Sequence, residues 1–524
     1  MTAARALVLG LVFLVALVMP AQSAPSQPVV SQTALVQTAL VHHAVSTQNS
    51  DAQQKFDEGL TLIYAFNRDE AARRFTKAAQ LDPSLAMAWW GVALANGPNL
   101  NFGMDAKRVK AANDALAKAK VLETNASPEE QRYIEALAVR YPPKFLPEAE
   151  AKKSYLAYRD AMAKLHADYP DDLDAATLYA ESVMDVDDTG WTGDKPTPAT
   201  ALIAGVLESV LARDPNHVGA NHYYVHTMDY IGVAQRALPS AERLSALPAE
   251  PAASHLVHMS GHIYLDVGMF GPLERDNRIA VDDDRTYAAS LREKPERLDY
   301  FEHNLDFYLG GTLMLDDSSE ADRALGIAKQ SNDVKAELLG YARERRWDDV
   351  LSFPEPSESL TLMTWHYARG IARAQTHNAL EARAELAALQ ATTASVTGFR
   401  QRVASVFALL LGARVAHLDG DDVTAVKDLR EVVATTAPLP PEVFSPWYFP
   451  AGEWLGGILL QTGDLAGAEA AFRADLARTP HNARSLYGLM QTLTREGRDA
   501  EARALAADIA ANWRGPSSDL RLDD

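Results

Sequence analysis

The stretch FDEGLTLIYAFNRDEAARRFTKAAQLDP, residues 56–83, decides the fold. Apolar residues recur in it at three- and four-residue spacing, the period of helices that bury one face. Asn67 sits between the two apolar runs where a cap or turn is needed, and Asp82-Pro83 closes the second run. Small and aromatic residues stand at fixed intervals: Ala71 follows Gly59 by twelve residues, Phe75 comes four later, Ala78 three later and Pro83 five later. Small side chains let two helices touch, the aromatic fills the space left beside them, and Pro ends the second helix. The stretch therefore reads as a helical hairpin.

The same ladder returns near the other end. Gly456 is followed by Ala468, Phe472 and Pro480, with Gly463 at the turn, and a shift of 34 residues continues it through Met490, Gly497 and Ala502. This pattern resembles the tetratricopeptide repeat, which predicts an all-α, right-handed solenoid of helical hairpins. It is clear at residues 56–92 and 452–510 and degenerate between them. Ala-rich segments of helical period fill the rest, and no sustained two-residue alternation argues for strands. The loop VDDTGWTGDKPTPAT (186–200) is expected to project with Trp191 exposed. SFPEPSES (352–359) and TTAPLPPEVFSPWYFP (435–450) are Pro-rich breaks. The expected division is a solenoid over 51–316 carrying most of the histidines and a second solenoid over 317–524.

The N-terminus reads as an export signal. Arg5 gives a positive start, Ala6–Met19 is an apolar run, Pro20 breaks it, and Ala21-Gln22-Ser23-Ala24 offers small residues for cleavage, so residues 1–23 are assigned as a signal peptide. The run is shorter than the roughly 20 residues a bilayer-spanning helix needs, so no membrane span is expected after signal removal. A periplasmic or secreted location follows. Residues 24–50, Ser/Gln/Thr/Val-rich and almost uncharged, are expected to form a flexible linker in which His42 and His43 are incidental. The chain has no Cys, which excludes disulfides, thiolate metal sites and cysteine catalysis. A net charge of -20 argues against nucleic acid as a partner.

The chemistry points to histidine. Of fourteen in the chain, five fall within residues 222–262, as HYYVH (222–226) and HLVHMSGH (255–262). His222 and His258 are 36 residues apart, as are His226 and His262, and as are Gly232 and Gly268, which are assigned to turns between paired helices. Successive hairpins thus carry an H-x-x-x-H pair at one place in their first helix, and residues four apart share a helix face. His255 lies one turn before His258 on the same broad face. His303, 45 residues after His258, belongs to the next inner helix, and Glu181 and Asp185, also four apart, precede His222 and His226 by 41 residues. Imidazoles and carboxylates on neighbouring helices suit zinc, copper or iron, with Glu181 or Asp185 as a further ligand or a general base. Packing histidines, or a polar ligand held without metal, are the competing readings. Met259 is a soft copper ligand or a core side chain.

The segments FDEGLTLIYAFNRDEAARRFTKAAQLDPSLAMAWWGVALANGPN, NHYYVHTMDY, HLVHMSGHIYLDVG and YFEHNLDFYLGG resemble a family of large, exported bacterial tetratricopeptide-repeat proteins. The resemblance covers most of residues 51–316. It implies the fold and the histidines at 222, 226, 258, 262 and 303, while Ser260, Asp266 and Leu305 depart from the family pattern. Two functions are expected: a scaffold whose groove binds a protein, peptide or small-molecule ligand, or a metal-dependent hydrolase, oxidoreductase or metal carrier.

Overall fold

A computed structural model describes residues 40–187, 189–437 and 450–522. The proposed signal peptide, residues 24–39 of the expected linker and most of the Pro-rich break at 435–450 lie outside them. The chain divides into two compact units, one ending at Thr227 and one beginning at Met228, whereas the sequence suggested a division between 316 and 317. One buried apolar cluster runs from Val281 to Ala502 straight through that expected boundary.

The first unit is built from antiparallel pairs: α1 (Ser50–Tyr64) with α2 (Arg68–Leu81), α3 (Ala86–Ala95) with α4 (Ala106–Leu122), α5 (Pro128–Ala138) with α6 (Glu148–Asp168), and α7 (Leu173–Met184) with α8 (Pro198–Arg213). α9 (Val218–Met228) carries the boundary near its end. Asn67 begins α2, its side chain accepting from the Glu70 amide at 3.2 Å, which satisfies one of the helix's orphan donors. The Phe75 ring from α2 is buried between Gly59 of α1 and Gly91 of α3. A Cβ at Gly91 would lie 2.3 Å from that ring, so the small residue is required by close approach. Gly91→Ala is expected to destabilise the first unit by about 1–3 kcal/mol through overpacking, read as a lower denaturant midpoint with an unchanged slope.

The second unit continues the scheme with α10 (Leu238–Ser245), α11 (Ser254–Asp266) against α12 (Phe270–Leu291), α13 (Phe301–Leu315) against α14 (Ser318–Ser331), and α15 (Val334–Arg343) with the short α16 (Trp347–Ser352). After these come α17 (Ser359–Gln375) with α18 (Ala379–Thr393), α19 (Gly398–Leu418) with α20 (Asp422–Thr436), α21 (Ala451–Thr462) with α22 (Leu465–Arg478), and α23 (Ala483–Arg495). Phe472 repeats the role of Phe75, seated between Gly456 and Gly488. Gly463 adopts φ 86° at the turn from α21, and Gly268 adopts φ 74° between α11 and α12, the left-handed backbone that glycine allows without strain.

The loop at 186–200 differs from expectation. Trp191 and Thr192 pair with Pro196 and Lys195 in a two-stranded ribbon, and Trp191 is buried with its indole N–H donating to the Thr227 carbonyl at 2.9 Å. The polar, Gly/Pro-rich composition around it hid an anchoring side chain. Among the described residues no helix is long and apolar enough to cross a membrane.

Candidate metal centre

α11 and α13 bring three of the sequence-selected histidines together. His258 and His262, one turn apart on α11, face each other with their Nε2 atoms 3.0 Å apart. His303 of α13 places its Nε2 3.4 Å from that of His262. The three residues offer ligand atoms that all lie within 4.8 Å of one another. Phe307, one turn beyond His303, packs against all three rings at centroid distances of 4.6–4.9 Å and forms an apolar wall.

The far sides of two rings fix their tautomers. His258 Nδ1 lies 2.6 Å from Asn277 Oδ1 on α12, and the Asn277 amide is itself oriented by donating from Nδ2 to the Leu273 carbonyl at 2.9 Å. His258 therefore carries its proton on Nδ1. His262 Nδ1 donates to Asp229 Oδ2 at 3.0 Å, a buried carboxylate. With its Nδ1 proton engaged in this way, each ring in its neutral form directs a lone pair to Nε2, so the facing Nε2 atoms suit a shared proton or a cation between them. Burial, and then the neighbouring His262, push His303 down to about 3, so its ring is neutral and a donor of electrons at neutral pH.

Asn277 approaches α11 so closely that a Cβ at Gly261 would lie 2.4 Å from its Nδ2. Gly261, between His258 and His262, thus makes room for the group that orients the His258 ring. Asn277→Ala is expected to weaken any metal held here by about 10–100-fold, the usual effect of an outer partner, with the apparent dissociation constant for zinc as the measurement. Neither Asn277 nor Asp229 was selected from the sequence. Asp229 stands three residues after His226, close enough to have been noticed, whereas Asn277 lies on a different helix with no periodic signal.

The other candidates are placed as follows. His222 and His226 lie on α9 in the first unit with ring centroids 4.8 Å apart, flanked by Phe66. His222 Nδ1 donates to the Tyr64 carbonyl at 2.5 Å, again directing a lone pair to Nε2. His255 is buried in the second unit, stacked on Tyr300 at 3.9 Å and 5.5 Å from the His258 ring. Met259 is fully buried. Glu181 and Asp185 are buried on and just beyond α7, and both pair with Arg140. Burial, then the charge of Glu181, raises Asp185 well above the usual carboxylate range against the opposing pull of the Arg140 guanidinium. Their four-residue spacing reflects an ion-pair network.

The first unit also gathers His43 with Asp172 and Asp174. His43, expected to be incidental in a flexible linker, is instead held by hydrogen bonds. Comparison of the sequence with protein-family models gives no match, and comparison with curated proteins gives none either.

Proposed function

We propose that this chain is an exported helical-repeat scaffold that holds a divalent transition metal on His258, His262 and His303 and presents it to a protein, peptide or small-molecule ligand. The observation that carries the reading is the meeting of the Nε2 atoms at 3.0 and 3.4 Å with the opposite nitrogens of His258 and His262 already engaged. Imidazoles bound tetrahedrally to zinc at about 2.0–2.1 Å have nitrogens about 3.3–3.4 Å apart, close to the spacing present. A buried carboxylate behind one ligand and an amide behind another are the usual means of fixing ligand orientation and basicity.

Imidazole donors suit zinc, copper or iron. Three protein ligands leave a further coordination position, and His303 remains partly open to solvent, which favours a reachable ion over a sealed structural one. That openness supports a second reading, a metal-dependent hydrolase, in which a bound ion would lower the pKa of a water molecule. The role of general base would then fall to a residue other than Glu181 or Asp185, since both are engaged by Arg140. Export to the periplasm or beyond rests on Arg5, the apolar run Ala6–Met19 and the small residues at 21–24.

Elemental analysis of untagged protein, prepared without chelator, tests the reading. About one zinc, copper or iron ion per chain is expected at this centre. Protein that is metal-free and takes up none of the three on titration would sink it.

A further inference from the structure

Residues 40–49 run beside the first unit's helices without helical hydrogen bonding, and their side chains alternate. Val41, His43, Val45, Thr47 and Asn49 turn inward, while His42, Ala44, Ser46 and Gln48 are exposed. That two-residue period is the mark of an extended segment laid on a surface. Its main chain is read by side chains. The His43 amide donates to Asp57 at 3.1 Å, the Val45 amide to Gln53 at 3.0 Å and the Ser46 amide to Glu130 at 2.7 Å. Gln53 donates back to the His43 carbonyl at 2.8 Å.

One side chain is read in detail. The His43 ring enters a pocket with Phe56 of α1 and Tyr133 of α5 at centroid distances of 6.1 and 5.5 Å, and its Nδ1 donates to Asp174 Oδ2 of α7 at 2.8 Å. Asp174 also accepts from the Tyr64 hydroxyl at 2.5 Å and from His217 Nε2 at 3.3 Å. His217 Nδ1 accepts from the Ala220 amide, which puts its proton on Nε2. Both Asp174 oxygens thus already face proton donors, an arrangement made for an imidazole that carries a proton and unsuited to a bare cation.

The groups facing His43 are Asp174 and Asp172 at the start of α7, Glu129 of α5, Asp57 of α1, and the hydroxyls of Tyr64 and Tyr133, the latter donating to Asp172 at 2.6 Å. Burial opposes a charge on the ring. The hydrogen bond and charge of Asp174, with Asp172 and Glu129 behind, outweigh it and raise His43 to about 9. A raised imidazole contributes its full hold below its ordinary value near 6.5 and loses it as pH climbs through about 9.

We propose that Asp57 and Gln53 of α1, Glu130 of α5 and Asp174 of α7 form a docking site for an extended polypeptide segment that inserts a protonated imidazole, and that residues 40–47 fill it in cis as a releasable occupant. The seat is mostly polar, with Val45 the one buried residue of 40–49, so the segment opens locally without unfolding the helices beneath it. Main-chain contacts tolerate many sequences, and the imidazole pocket supplies selectivity. The site stands independently of the metal centre.

The test uses the full chain and a fluorescent peptide of residues 40–49, LVHHAVSTQN. In the His43→Ala chain the cis segment loses its anchor, and this chain is expected to bind the peptide in trans at least ten-fold more tightly than the wild type does. A peptide carrying His43→Ala, or a chain carrying Asp174→Asn as well, should lose at least ten-fold, and binding should fall similarly between pH 7 and pH 10. Circular dichroism should be unchanged in the His43→Ala chain. Absence of trans binding to that folded chain, equal binding of the two peptides, or loss of helix on substitution would each overturn the proposal, the last because a releasable occupant is not needed for folding.

Discussion

Replacing His262 with Ala is expected to strip the protein of stoichiometric metal while its helices persist. His262 is the shared ring of the group, 3.0 Å from His258 and 3.4 Å from His303 between Nε2 atoms, so its removal leaves two donors that no third nitrogen bridges. Loss of an outer partner already weakens a metal about 10–100-fold, and loss of a direct ligand should exceed that, leaving little ion after dialysis. The ring is buried and its Nδ1 is bonded to Asp229, so the variant also strands a carboxylate at a cost of about 1–3 kcal/mol. Elemental analysis and circular dichroism together separate the outcomes. A His262→Ala chain that keeps wild-type metal would place the ion elsewhere. One that melts, from a wild type that never held metal, would make these histidines packing residues.

That the grouping of His258, His262 and His303 was legible in the sequence has a physical reason. His258 and His262 are four residues apart, so any helix puts them on one face, and the hairpin repeat places the next inner helix, with His303, beside it. Gly59 and Phe75 were legible for the same reason, because close helix contact leaves a size pattern in the chain. Spacing alone could not distinguish a histidine cluster from an ion-pair network. Glu181 and Asp185 show the same four-residue rhythm as the histidines, and what separates them is Arg140, brought in from the preceding helical pair. Asn277 and Asp229 act through contacts of long sequence separation, which periodicity does not record. The low-complexity composition before residue 50 concealed the alternation that seats His43, since polar residues that read as linker also satisfy a polar surface.

Arg140→Met is expected to be among the most destabilising single changes in the first unit, by about 3–5 kcal/mol near neutral pH. Arg140 is 1% exposed and reaches Glu181 at 3.2 Å and Asp185 from the same nitrogen, with its guanidinium over the Tyr158 ring at 4.5 Å. Methionine fills much of the volume, so the loss is chiefly that of the counter-charge beneath two buried acids. Burial and the charge of Glu181 already hold Asp185 above its ordinary value with the arginine present, and without it Asp185 should favour the protonated form further. A carboxyl whose folded pKa is raised binds more protons folded than unfolded, so its penalty grows as pH rises and shrinks as pH falls. The deficit measured by urea unfolding should therefore be smaller at about pH 4.5 than at pH 7, whereas that of a simple cavity is the same at both. Metal content should be unchanged in the folded variant, because neither carboxylate joins the group formed by His258, His262 and His303. A variant of near wild-type stability that loses its metal would return Glu181 and Asp185 to the role of ligands.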